Sequence, residues 1–151
     1  MTRTLLICMT ALIAAGCGSS KEPANSPEHD IRAWVERGEA AAEARDRDAL
    51  LELISENYRD PRGNDRSRIG DTLRVLFFRQ NTIALLTSID DIQFMGDSAA
   101  LVNVTVGMAG TRNAGIGLNA DAYAFEFELE KHDDDWLLIG SRWGELGGTL
   151  H

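Results

Sequence analysis

Asp121-Ala-Tyr-Ala-Phe-Glu-Phe-Glu-Leu-Glu130 is the stretch that decides how this chain folds. Tyr123, Phe125, Phe127 and Leu129 are apolar, while Glu126, Glu128 and Glu130 between them are charged. A period of two marks a strand with one face buried and the other wet. Lys131-His-Asp-Asp-Asp135 interrupts it with turn formers, and Trp136-Leu-Leu-Ile-Gly-Ser-Arg-Trp143 returns as a second strand. A lone hairpin is marginal in water, so it needs more strands and a cover of helices. The upstream sequence has both.

Two further strands precede the hairpin. In Thr82–Phe94, Ile83, Leu85 and Ile89 share one parity, and Ile92 and Phe94 share the other. The switch at Asp90-Asp91 predicts a β-bulge that bends the sheet. After a turn at Gly96-Asp-Ser98, Ala100, Val102, Val104, Val106 and Met108 alternate on one face, opposite Asn103 and Thr105. Gly107 to Gly117 is rich in glycine and is expected to be a long, mobile hairpin loop.

Three helices come first. Ser26 is a cap residue followed by Pro27, and Ile31, Trp34, Val35, Gly38, Ala41 and Ala42 form one amphipathic stripe. The same pattern puts Arg32, Glu36, Arg37, Glu39 and Glu43 on the wet face. Asp46 caps a shorter helix whose buried side is Leu50, Leu53 and Ile54. A third runs from about Asp65 or Ser67 to Gln80, with Ile69, Leu73, Leu76 and Phe77 as its stripe, widened by Val75 and Phe78. The tail Gly144–His151 has little periodicity and is expected to fray. The layout is α+β: three N-terminal helices packed on a curved antiparallel sheet of about four strands.

The 151 residues carry 15 basic and 24 acidic side chains, a net charge of −9. Such a chain repels nucleic acid and anionic headgroups, which makes neither a direct partner. At the start, Met1-Thr-Arg3 is followed by an apolar run, Leu5 to Ala15, shorter than the roughly 20 residues that span a bilayer. It ends in Ile13-Ala-Ala-Gly-Cys17. This resembles the lipobox of bacterial lipoprotein signal peptides, although Ala14 stands where that family most often has Leu. The resemblance implies that residues 1–16 are a removed signal peptide and that lipidated Cys17 anchors the chain to a membrane. The alternative is an ordinary secretory signal in which Cys17 is incidental. Cys8 lies in the removed segment, so no intramolecular disulfide is expected. Residues 17–27 read as lipidated Cys and flexible tether, 28–147 as the folded domain and 148–151 as a tail. Gly18 after the cysteine, by the same resemblance, places the chain at the outer membrane facing the periplasm if the source is Gram-negative.

The order of elements, with Leu50-Leu-Glu-Leu-Ile-Ser-Glu-Asn-Tyr-Arg-Asp60 and Asp135-Trp-Leu-Leu-Ile-Gly-Ser-Arg-Trp143, resembles the NTF2-like superfamily. Its members are cone-shaped α+β domains related to nuclear transport factor 2, ketosteroid isomerase and SnoaL-type polyketide cyclases. More closely, the chain is similar to small bacterial lipoproteins and secreted proteins with one such domain. The resemblance implies helices against a concave sheet, a pocket at the wide end, and in many members a dimer through the sheet's other face. It does not fix an activity.

No metal site or cofactor motif is legible. His29, His132 and His151 are far apart and lack partners at ligand spacing, and no phosphate-binding or dinucleotide fingerprint is present. An isomerase- or cyclase-like site needs a carboxylate in an apolar cavity with donors for the developing oxyanion. The candidates are Asp60, Asp91 and Asp121, with Tyr58 and Tyr123 as donors. Each also has a structural use: Asp60 before Pro61 in bonding a loop, Asp91 at a solvated bulge, Asp121 at a wet strand end, the tyrosines in the core. Arg142 shares the parity of Trp136 and Leu138 and would thereby meet an anionic ligand, or else form a buried salt bridge or lie at the surface. Asn103 and Thr105 line a pocket or face water. The ligand-binding candidates are thus Tyr58, Asn103, Thr105, Tyr123 and Arg142, and no family active-site pattern maps onto them.

Three readings follow. The first is a non-catalytic cell-envelope lipoprotein that binds a small apolar ligand or a protein partner in or near the cone. The second is a ketosteroid isomerase- or polyketide cyclase-like enzyme. The third is a structural module that forms a homodimer through an outer sheet face carrying Ala120, Ala122 and Ala124.

Overall fold

The computed structural model describes residues 26–112 and 118–151. The signal segment, Cys17 and most of the tether lie outside the described residues. Helix α1 spans Pro27–Glu43, α2 Arg47–Glu52 and α3 Arg66–Arg79. Strands β1 Gln80–Phe94, β2 Ala99–Arg112, β3 Leu118–His132 and β4 Asp135–Glu145 follow. They form one antiparallel sheet in the order β1-β2-β3-β4.

Each helix begins where a polar side chain can take its first free amide. Ser26 accepts from His29 N at 3.1 Å, Asp46 from Ala49 N at 3.0 Å and Asp65 from Arg68 N at 2.8 Å. Helix α2 is shorter than its apolar pattern implies. Leu53 and Ile54 lie beyond its end, and Ile54 bridges Leu138 in parallel. Ser55 N donates to Leu138 O at 2.9 Å and Leu138 N to Leu53 O at 3.0 Å. This segment therefore covers the free edge of β4. At the opposite edge the Glu43 carboxylate accepts from Leu85 N at 2.8 Å and Arg45 donates to Gln80 O at 2.9 Å. Covered edges prevent pairing with other chains.

Register sets which side chains enter the interior. Val102 pairs with Phe127, Val104 with Phe125 and Val106 with Tyr123, so these share the inner face. The pairing of β1 slips between Ile89 and Asp91, the position where the parity switch predicts a bulge. A second slip lies in β4: Leu129 pairs with Leu138 but Glu128 with Gly140, which makes Ile139 an extra residue. One extra residue reverses every later side chain.

Along β2 the inner face passes from packed to open. Ala100 and Val102 are fully buried with Ile31, Tyr58, Leu129 and Trp136 in the core. Val104 is still buried in the core but borders a cavity, which Val106 and Met108 farther along also line.

Three expectations are corrected here. Strand β2 extends well into the glycine-rich stretch: residues 107–112 are strand, and 113–117 between the strands lie outside the described residues. Val75 and Phe78 do not widen the buried stripe of α3, being 49% and 81% exposed. The tail does not fray. Trp143 and His151 exchange backbone hydrogen bonds at 3.3 and 3.2 Å after a turn at Gly147, whose φ of 82° suits glycine.

Candidate functional site

The cavity holds about 500 Å³ between α1, α3 and the inner face of the sheet. Helix α1 contributes Trp34, Val35, Gly38, Glu39 and Ala42, and α3 contributes Ile69, Leu73, Leu76 and Phe77 among others. The small residues in the second half of α1 leave the space that Trp34 and Val35 fill in the first. From the sheet come Leu85, Val106, Met108, Tyr123, Phe125, Phe127 and Trp143. Their rings form a continuous wall. Phe125 stacks on Phe127 at 5.3 Å and on Trp143 at 6.2 Å, and Tyr123 meets Trp143 edge-on at 5.9 Å. The lining is apolar with a few polar groups, the usual make-up of a small-molecule site, and its volume lies in the usual range.

The polar side chains are Glu39, Thr72, Thr87 and Tyr123, joined by the indole N–H groups of Trp34 and Trp143, of which that of Trp34 is buried without a hydrogen-bond partner. Thr72 is occupied, its hydroxyl donating to Arg68 O at 2.9 Å. The Thr87 hydroxyl donates to the Glu39 carboxylate across the gap between α1 and β1. Glu39 is half-buried and is the one formally charged side chain of the lining among the described residues.

Of the ligand-binding candidates from the sequence, Tyr123 lines this cavity. Tyr58 sits in the core, 1% exposed, with its hydroxyl 2.7 Å from Ser141 Oγ. Burial pushes the Tyr58 phenol above its ordinary value; the Ser141 hydrogen bond opposes this, and the charge of Asp60 adds to it. Asn103 and Thr105 are on the outer face, where Thr105 donates to Asp90 at 2.7 Å. Arg142 also faces outward and pairs with Glu126. The extra residue Ile139 lies between Leu138 and Arg142, so the parity argument that aimed Arg142 inward reverses there.

The catalytic candidates do not gather. Asp60 closes its own loop, accepting from Asn64 N and Asn64 Nδ2, both at 2.8 Å. Burial pushes its carboxyl up, but the Asn64 bonds, the Arg62 amide and the Arg62 charge together hold it below its usual value. Asp121 pairs with Met108 on the inner parity but is exposed at the strand end, and Asp91 is exposed beside the bulge. Among the described residues no group of three or more His, Cys, Asp or Glu could hold a metal ion.

Glu39 is the site residue that the sequence pattern misassigned to the wet face. The signal was available: it lies four residues after Val35 and three before Ala42, so it shares their side of the helix. Glu43, also assigned to water, is exposed as expected and in addition bonds the β1 edge.

No family model matches the sequence, and no curated protein matches it. Solved structures do match in shape. A ketosteroid isomerase-like protein from Erwinia carotovora atroseptica SCRI1043 aligns at TM-score 0.67 and 15% identity, over 81% of this chain and 98% of that one. An NTF2-like superfamily protein from Salmonella enterica serovar Typhimurium gives 0.67 and 14%, over 78% and 89%. The hexachlorocyclohexane dehydrochlorinase LinA-type3 from Novosphingobium barchaimii LL02 gives 0.68 and 12%, over 82% and 88%. At such identities the likeness establishes the fold. The described domain shares the fold of these proteins, with helices on an open four-stranded antiparallel sheet.

Proposed function

We propose that this chain is a lipid-anchored cell-envelope protein whose cone binds a small apolar ligand without transforming it. The observation that carries the reading is the ring-lined cavity of about 500 Å³, bounded by Trp34, Phe77, Tyr123, Phe125, Phe127 and Trp143. Burying an apolar molecule against such walls contributes roughly 25 cal/mol per Å² removed from water. Anchoring rests on the lipobox-like Ile13-Ala-Ala-Gly-Cys17. The tether reaches about 35 Å at most, which keeps the cone close to its membrane. Native mass spectrometry of the protein from its own host is the test of binding. A co-purified small molecule supports the reading; a cone that is empty and takes up no apolar probe sinks it. Labelling with radioactive palmitate tests the anchor, since Cys17→Ser should lose the label and the membrane fraction together.

Glu39 supports a second reading, an isomerase- or dehydratase-like enzyme in which it moves a proton. Solved structures of the same fold include proteins described as ketosteroid isomerase-like and as a dehydrochlorinase. Against it, this chemistry also needs donors for a developing oxyanion. Thr72 and Thr87 are already donating elsewhere, which leaves the Tyr123 hydroxyl and the unpartnered Trp34 indole N–H as donors in the lining. Proton exchange at the α-carbon of a cyclic enone in D2O, abolished by Glu39→Gln, would favour the enzyme.

The homodimer remains a proposal on the other face. There Leu86, 77% exposed, lies beside Gly107, which is paired in turn with Ala122. A dimer in solution that Leu86→Lys converts to monomer would support it.

A further inference from the structure

We infer that the cavity selects, among small apolar molecules, those bearing a protonated amine, with Glu39 as the counter-charge. This rests on the ligand-binding reading above and narrows it to a ligand class. Glu39 is the one charged side chain of the lining among the described residues, and no Lys, Arg or His accompanies it there. A carboxylate has about four acceptor positions. The Thr87 hydroxyl takes one of them, on Oε2, and helps hold the group against the sheet.

Three kinds of ligand fare differently. An apolar carboxylate brings a like charge beside Glu39 in a half-buried site and finds no cation in the lining to offset it. A neutral molecule strips water from Glu39 and returns no full charge in exchange. An ammonium group pairs with the carboxylate through charge-assisted hydrogen bonds. The rings add to this, because aromatic faces attract a cation within about 6 Å. Tyr123 and Phe125 present such rings on the sheet side, whereas the Trp143 ring already carries the Arg62 guanidinium.

Charges of both signs surround the lining, Arg45 at the β1 edge and Arg62 at Trp143 among them, so the selection rests on Glu39 inside it. Asp121 is in register with the cavity residue Met108, and Glu43 sits at Leu85 N, so acids flank that end of the sheet. The nearby guanidinium of Arg62 lies 4.3 Å from the Trp143 ring centroid and is not part of the lining. A net charge of −9 favours the approach of cations.

Three matched probes test this on the full chain at neutral pH: 1-naphthylmethylamine, 1-naphthylmethanol and 1-naphthoic acid, followed by calorimetry. The amine is expected to bind at least about tenfold more tightly than the alcohol, and the acid most weakly. Glu39→Gln should bring the amine down to the level of the alcohol and leave the alcohol unchanged. The ranking in the unaltered protein decides the matter even if that variant folds poorly. An alcohol or acid that binds as tightly as the amine overturns the inference and leaves the binding cone standing. Binding of none of the three overturns the inference and the cone together.

Discussion

Thr87 on β1 donates its hydroxyl to Glu39 on α1, so the cavity's carboxylate is tied to the sheet it faces. The pair spans 48 residues of sequence and joins the two elements that frame one side of the pocket. Thr87→Val keeps the shape but leaves Glu39 with one donor fewer. A stability loss of about 1–2 kcal/mol is expected from urea unfolding. No change in midpoint would show that solvent already satisfies the carboxylate.

Ala42 has room where a core residue would have neighbours. Ala42→Leu places an apolar side chain into the cavity, which should raise stability by roughly 0.5–2 kcal/mol. The same change should remove binding of apolar probes. Tighter binding in this variant would mean that the ligand sits elsewhere.

The Tyr58 phenol titrates above 10.0 in the folded protein, its ordinary value, because it is buried. The folded state therefore keeps that proton after the unfolded chain has begun to lose it. Its contribution to stability is present below pH 10.0 and declines as pH rises through the folded value. Tyr58→Phe should flatten this alkaline decline and cost about 1 kcal/mol at neutral pH through the lost bond to Ser141. Unfolding curves across pH 8 to 12 would check both, and an unchanged alkaline limb would implicate another group.

Asp60 behaves in the opposite sense. Its carboxyl is held below 3.8, so its contribution is present above that pH and is lost as pH falls through the folded value. Asn64→Ala removes the side-chain donor and should blunt the acid limb of stability. The loop Asp60–Asn64 should also open, read as faster amide exchange at Asn64.

Gly144 lies under the returning tail, where a Cβ would come within 2.5 Å of Thr149 O. Gly144→Ala should lift the tail and break the Trp143–His151 pairing. Limited proteolysis would then trim the last residues faster than in the unaltered chain. Equal trimming would show that the strand shifts to make room.

The hairpin Ala120–Trp143 was legible because burial on one face imposes a period of two on the side chains. The helix starts were legible because free amides demand Ser or Asp at a fixed offset. Parity, however, is a local rule that one extra residue reverses. The slip at Asp90 left a trace, since the apolar set of β1 changes sides there. The slip at Ile139 left none, because Leu137, Leu138 and Ile139 are all apolar, and unbroken parity through them points Arg142 inward.

The cavity is a property of the assembled layers. Gly38 and Ala42 announce a close approach or an empty space equally well, and only the distance between α1 and the sheet distinguishes the two. The same holds for Glu39, which looks like any solvated helical carboxylate until Thr87 is seen across from it. The sequence by itself determined the class of fold, the order of its elements and most of the inner face, because alternation and capping act between neighbours along the chain. Only the tertiary structure decided where the core stops and the cavity begins, and which acid faces it, because these depend on contacts between residues far apart in sequence.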